Sequence, residues 1–414
     1  MAGVLLVLCL AFGLATIEER APDSPEAAAQ LATGIPAGKS VLLASGQGQA
    51  GTTFVDQLSL LSAKGALKIT GTARTPAEAK ALLDPAPDVI LCSPAAAGWS
   101  VFDPVRDRVR SPRIGTYSVF LSPANLLNIA NQVAVIAILA VGMTMVIIAR
   151  GIDLSVGSLI ALSSVVTTWL IAEKLGGTGA SSTSLLLAGA AGIATGAVCG
   201  AFSGWVADRW RVPSFIVTLA LMQMASGAAY KLANGQSINA LPPEFNWLGL
   251  QATLGLPHSV WLALGVAVAA HVFMTQSVMG RHIYAVGGSP EAARCSGISL
   301  TKVRLAVFTT CGALAGLGGV TVASQFTNGS PTYGQWAELD AIAAAVVGGA
   351  SLDGGRGTIF GTVIGALIIA VIRNGMNLLG VDPYLQKIWL GLVILAAVLL
   401  DRLVRRGSAD GVAA

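Results

Sequence analysis

An all-α polytopic membrane protein with a small extracytoplasmic α/β insertion is the fold this sequence predicts, on three observations. First, 54% of the 414 residues are apolar and 11% are charged, whereas about 25% are charged in an average soluble domain. Mean hydropathy is +0.72. Second, long apolar runs recur, and in lipid only helices or closed barrels satisfy their own backbone. Third, residues 18–117 hold 20 of the 46 charged side chains, so a water-soluble segment interrupts the membrane protein. The composition excludes disorder, which requires low hydrophobicity and high charge. Five cysteines are too few for a disulfide scaffold, and none has CxxC or Cys/His ligand spacing, so no metal or redox site is expected. The net charge of +4, with no dense Lys/Arg stripe, argues against a nucleic-acid partner.

Residues 3–17 form the first apolar run. It is shorter than the ~20 residues of a full span and lacks both a basic leader and a clear A-x-A cleavage site. Residues 1–17 are therefore expected to be a short first span or signal anchor. The charged segment 18–117 follows and reads as a β-α-β-α-β unit with a small parallel sheet. Strands are expected at 40–44, 67–70 and 88–92. A helix over 51–63 follows from the spacing of Phe54, Leu58 and Leu61. Another over 75–83 opens on Thr75-Pro76, a cap followed by proline in the first turn.

Nine further hydrophobic segments follow, at 128–149, 156–172, 185–207, 213–233, 257–274, 303–324, 339–350, 358–379 and 384–400, which makes ten in all. The 339–350 run is too short to span alone and reads as re-entrant or broken. Gly312, Gly316, Gly318 and Gly319 are of the kind that lets membrane helices approach closely. Alternate loops carry eleven and three Lys/Arg outside the 18–117 segment. The positive-inside rule then places both termini in the cytoplasm, the insertion outside it, and residues 403–414 in a cytoplasmic tail.

Candidate chemistry is sparse. Gly46-x-Gly48-x-x-Gly51 has dinucleotide-loop spacing after a strand, but Thr70-Gly71-Thr72 stands where an acidic ribose partner is required, so a glycine-rich βα turn is the better reading. Residues 34–40 are one residue short of a Walker A loop and precede their strand. No ATP-hydrolysing machinery is expected on this chain, which needs no cofactor of its own. His258, His271 and His282 have structural or interfacial rather than catalytic settings. Two breaks between apolar runs share a pattern, one with Asp153, Ser155 and Gly157, the other with Asp353 and Gly355. This hints at an internal duplication. Asp153 is expected to cap the next helix, with a direct part in solute passage as the alternative. Ser289-Pro290-Glu291 starts a short helix and Gly297 stops it within the polar loop 280–302. It is either an ordinary loop helix or a docking element. Asn131, Gln132, Gln223, Gln325 and Asn374 are candidates for a polar solute path, or equally for bonds between helices.

Several motifs in order resemble the ribose-type (monosaccharide) permeases of binding-protein-dependent ABC importers. They are Asn125-Leu126-Leu127-Asn128-Ile129, Gly151-Ile152-Asp153-Leu154-Ser155-Val156-Gly157-Ser158, Gly288-Ser289-Pro290-Glu291-Ala292-Ala293-Arg294, Glu338-Leu339-Asp340-Ala341 and Asn374-Gly375-Met376-Asn377. The resemblance covers about residues 118–402 and implies a permease domain there. It also implies ATP hydrolysis on a partner cytoplasmic ATPase, an extracytoplasmic sugar-binding protein, a second permease subunit as homodimer or heterodimer, and a bacterial inner-membrane location. Glu291, Ala292, Ala293 and Gly297 match the family's ATPase-coupling helix. Residues 18–117 depart from the family, and they are expected to dock or partly replace the binding protein. The rival class is a secondary transporter or channel acting without an ATPase. It would call for paired intramembrane carboxylates or histidines, and the acidic residues here lie near segment ends.

Overall fold

A computed structural model describes residues 1–20, 30–33, 35–36, 38–46, 49–63, 68–112 and 115–410. The chain forms two compact units, Met1–Thr16 with Phe120–Ala414, and Ile17–Val119. Helix α1 (Ala2–Ala15) belongs to the larger unit, after which the chain enters the smaller one.

In the smaller unit, β1 (Ile17–Arg20) pairs antiparallel with β6 (Gly115–Ser118), so the ends of the segment are joined. Between them lies a parallel sheet of order β3-β2-β4-β5, formed by β2 (Ser40–Ala44), β3 (Lys68–Ala73), β4 (Val89–Cys92) and β5 (Val109–Arg110). Strands β2 and β4 are apolar throughout their buried stretches because both faces are covered. Val41, Leu43 and Leu91 pack on Phe54 and Leu58 of α2 (Gln49–Ala63). Leu42, Ala44, Ile90 and Cys92 pack on the opposite face, against Ala79 of α3 (Pro76–Ala81) and Phe102. Thr75 caps α3 by accepting from Glu78 N–H, with Pro76 in the first turn. The β-α-β-α-β order is the expected one, although β3 runs to Ala73, beyond the expected 67–70. Hydrogen bonds from the Ser40 backbone N–H and hydroxyl hold the Asp88 carboxyl below its ordinary pKa. Gln47 and Gly48 of the glycine-rich turn, Gly34 and Ala37 of the 34–40 loop, and Leu67 lie outside the described residues.

The larger unit is helical. Among the described residues, seven helices are long and apolar enough to cross a membrane, not the ten expected. They are α4 (Pro123–Ile148), α5 (Val156–Lys174), α6 (Ser182–Arg209), α7 (Ser214–Leu232), α8 (His258–Gln276), α11 (Leu300–Phe326) and α13 (Ile359–Leu378). Shorter helices are α9 (Val278–Gly288), α10 (Pro290–Cys295) and α12 (Ala337–Val347), and the last described helix is α14 (Pro383–Asp410). The difference has a length argument. Helix α1 has 14 residues, about 21 Å at 1.5 Å per residue, which is short of a ~30 Å hydrocarbon core. Helix α12 has 11. The expected span 384–400 falls in α14, several of whose side chains lie outside the described residues.

Helix α11 is the central strut and packs on α6, α5 and α4. Its closest partner is α6, where glycines face glycines across the contact. A Cβ on Gly196 would collide with the carbonyl oxygen of Gly312 and stand 2.9 Å from Gly316 N. The backbones themselves touch, which is the usual role of small residues between membrane helices. Of the apolar stretch of α4, 83% is buried, against 22% for α8. Helix α4 is therefore interior, and α8 presents most of its surface outward.

Candidate functional site

One end of the larger unit gathers the loop helix and both sequence breaks. Ser289 caps α10 by accepting from Ala292 N–H at 3.2 Å, and Pro290 occupies the first turn. Gly297 ends it in the left-handed region at φ 80°, a conformation that favours glycine, and Ile298 N–H closes back on Ala293 O at 3.0 Å. Glu291, Ala292 and Gly297 are exposed, and Ala293 is buried on the inner side. Beside α10 lies a cleft of about 900 Å³, lined by Arg150, Arg209, Arg211, Arg294 and Arg304, with Asp208 and Glu291 as its carboxylates. Asp208 is taken by Arg304 at 3.1 Å and by the Thr301 hydroxyl. Arginine outnumbers carboxylate, so the cleft favours an acidic partner surface.

Arg150 ties this end together. Its Nε donates to Gly287 O at 2.8 Å and its Nη2 to Gly288 O at 2.9 Å. These carbonyls end α9, immediately ahead of α10, where a cation is favoured. Ile148 O accepts from Gly355 N–H at 2.8 Å, so the break containing Asp353 and Gly355 lies directly against the end of α4. A side chain on Gly287 would collide with Ile148 O.

The loop holding Asp153 turns inward. Gly151 packs on Phe308, Ile152 N–H donates to Ser214 Oγ at 3.2 Å, and Leu154 N–H to Thr218 Oγ1 at 3.1 Å. Asp153 is 0% exposed beside Cys311, eleven residues and ~16 Å along α11. Its Oδ1 accepts from Ser155 N–H at 2.9 Å and Ser155 Oγ at 2.6 Å, which closes a turn ahead of α5; the N-cap residue is Ser155, and no side chain caps the first turn of α5. Asp353 does not cap the helix that follows it. Thr358 caps α13, accepting from Gly361 N–H at 3.0 Å.

A second irregular stretch runs from Thr327 to Trp336. Gly329 lies against Ser164 and Thr168 of α5, and Gly334 against Gly157 and Ile160. The stretch therefore descends about eleven residues of α5, ~16 Å, before α12 covers another ~16 Å. Together the irregular stretch and α12 cover about 30 Å, the thickness of a hydrocarbon core. Gly319 of α11 packs on Ile160 and Ser163, ~28 Å from the start of a helix about 40 Å long, so the Gly334 end of the stretch, beside Gly157 and Ile160, lies inside both ends of α11. Non-helical backbone at such depth is tolerated where protein covers it or a cavity adjoins it. A cavity of about 320 Å³ adjoins it, between the start of α5, the middle of α7 and residues 331–338.

Of the five polar path candidates, Gln223 lines that cavity. The others bond to neighbouring side chains. Asn131 Oδ1 accepts from Ser259 Oγ and from Gln325 Nε2 at 3.0 Å, which joins α4, α8 and α11. Asn374 and Asn125 exchange amide bonds at 2.9 and 3.0 Å, and Gln132 donates to Asn128 along α4. Sequence reasoning missed Arg373, whose Nη2 bonds both Asp340 oxygens at 2.8 and 3.0 Å and joins α12 to α13. The signal was available, since an arginine inside an apolar run calls for an acidic partner. No group of three His, Cys, Asp or Glu suited to a metal occurs among the described residues.

Residues 125–398 match the family described as branched-chain amino acid transport system / permease component. The ribose import permease protein RbsC of Escherichia coli (strain K12) is 43% identical over 286 residues, 68% of this chain and 87% of that protein. RbsC of Bacillus subtilis (strain 168) is 41% identical over 285 residues, covering 68% and 86%. The fructose import permease protein FrcC of Rhizobium meliloti is 34% identical over 298 residues, covering 70% and 81%. No solved structure matches significantly. With its multi-span bundle and a match over most of its length, this chain belongs to that permease-component family and is a transport permease subunit.

Proposed function

We propose that this subunit imports a monosaccharide such as ribose across the bacterial inner membrane, driven by ATP hydrolysis on a separate cytoplasmic ATPase. The observation that carries the reading is α10, a short capped helix with exposed Glu291 and Ala292, beside an arginine-lined cleft at the end where both breaks meet. A solo transporter has no use for such a surface. Relatives named as ribose and fructose import permeases support the solute class. Five of the eleven basic residues that set the orientation line this one cleft, which supports a cytoplasmic position for it; both termini belong on the same side in this reading. An extracytoplasmic binding protein delivers the sugar, and a second permease subunit completes the path. The domain scheme is a first membrane segment at 1–17, the insertion 18–117 outside the cytoplasm, the permease domain 118–402 and a tail at 403–414.

Two results test this reading. In a complex of the chain with its ATPase and binding protein, Glu291→Arg with Ala292→Trp lowers sugar-stimulated ATP hydrolysis at least tenfold. Undiminished stimulation refutes docking through α10. Deleting residues 36–112 weakens binding-protein affinity and slows uptake if the insertion receives the binding protein. Unchanged uptake with unchanged affinity removes that role.

A further inference from the structure

We infer that the break between Thr327 and α12 forms the solute subsite of the permease, with Trp336, Glu338 and Gln223 holding a neutral sugar in passage. This rests on the monosaccharide reading above and deepens it to named groups. The cavity of about 320 Å³ at the break is lined by Ser158, Gln223, Ser226, Gln335, Trp336 and Glu338, and its volume is at the lower end of small-molecule sites. Trp336 is held at φ 68° and is 62% exposed. A bulky residue in the left-handed region is strained, and such strain persists where the surroundings enforce it, commonly at ligand sites. Here it turns the chain into α12, whose Leu339 N–H donates to Trp336 O at 3.1 Å, and it leaves the indole uncovered at the cavity.

Glu338 supplies the polar counterpart. Asp340, two residues on, is neutralised by Arg373. Glu338 has no ion-pair partner among the described residues, and its carboxylate lies against Gly157 at the cavity wall. The half-buried carboxylate accepts from its own backbone N–H, which leaves acceptor positions open at the cavity for the hydroxyls of a solute. Its two oxygens accept from adjacent hydroxyls, and the Gln223 amide both donates and accepts. An aromatic face with a few carboxylate, amide and hydroxyl groups suits a polyol that has one C–H face and one ring of hydroxyls. The Arg373–Asp340 bonds fix α12 behind the site, so the groups are presented on a braced half-helix.

The test uses the full complex in proteoliposomes, with radiolabelled D-ribose, D-fructose and L-arabinose as probes. At least one is taken up by the unaltered complex, Trp336→Ala and Glu338→Gln slow that uptake tenfold or more, and Trp336→Phe restores most of it. As a second readout, Ser226→Cys in a Cys295→Ser background is labelled with N-ethylmaleimide during turnover. The transported sugar slows labelling severalfold, and this variant keeps the inference testable if the others misfold. Uptake of none of the three probes by the unaltered complex overturns the monosaccharide reading itself. Uptake by the unaltered complex with unslowed variants, or without protection of the introduced thiol, overturns the subsite alone.

Discussion

Gly196→Leu is expected to abolish recovery of folded permease, whereas Gly227→Leu or Gly265→Leu leaves yield and thermal stability within experimental error. All three glycines lie in apolar helices. A Cβ at Gly227 or Gly265 meets nothing within 4 Å, so a leucine there adds outward apolar surface. At Gly196 the obstacles are Gly312 O, Gly316 N and Gly316 Cα, all backbone atoms that cannot rotate aside. Overpacking a core costs about 1–3 kcal/mol where side chains can shift. Here the helices must separate, so the cost exceeds that range and spreads along the α6–α11 contact. Gly196→Ala should fall between, with reduced yield and a lower melting temperature in detergent. The check is fluorescence-detected size exclusion with thermal challenge. Equal losses at Gly196 and Gly227 would show that helix propensity in lipid, not close approach, sets the requirement.

The same contact shows what a single sequence can and cannot disclose. Gly312 and Gly316 stand out as small residues in an apolar run, but their partners Gly192, Gly196 and Gly200 lie over a hundred residues earlier, and spacing alone does not pair the two rows. Local signals fare better. Ser289, Pro290 and Gly297 mark both ends of α10 because capping is decided within four residues of each end. The β-α-β-α-β order of the smaller unit is legible because Val41–Ala44 and Val89–Cys92 must be apolar on both faces. The count of ten spans fails where helix length and apolar length part company. The 339–350 run is too short for a span because an irregular stretch, residues 327–336 beside α5, stands where more helix would be needed, and no periodicity announces an irregular stretch. Asp153 is placed between spans by sequence, yet it sits ~16 Å along α11 because backbone bonds to Ser214 and Thr218 draw its loop inward.

Arg150 carries the other large expected effect. Its guanidinium bonds both terminal carbonyls of α9, at Gly287 and Gly288, while its backbone stands two residues after Ile148, the acceptor for Gly355. The end of α4 is therefore tied both to the start of α10, through these two hydrogen bonds, and to the loop ahead of α13, through Gly355. Hydrogen bonds to a charged group contribute about 1.5–3 kcal/mol when shielded, and less at the rim of an open cleft. Arg150→Met should leave α10 folded, since Ser289 still caps it and Gly297 still ends it, but with its orientation loosened. The expected result is about a tenfold loss of sugar-stimulated ATP hydrolysis, equivalent to about 1.4 kcal/mol of coupling, with the ATPase still co-purifying. Arg150→Lys should recover only part of it, because an ammonium lacks the planar fork that spans two carbonyls. Full stimulation in Arg150→Met would show that α10 is braced by its own caps and by Ala293 packing alone.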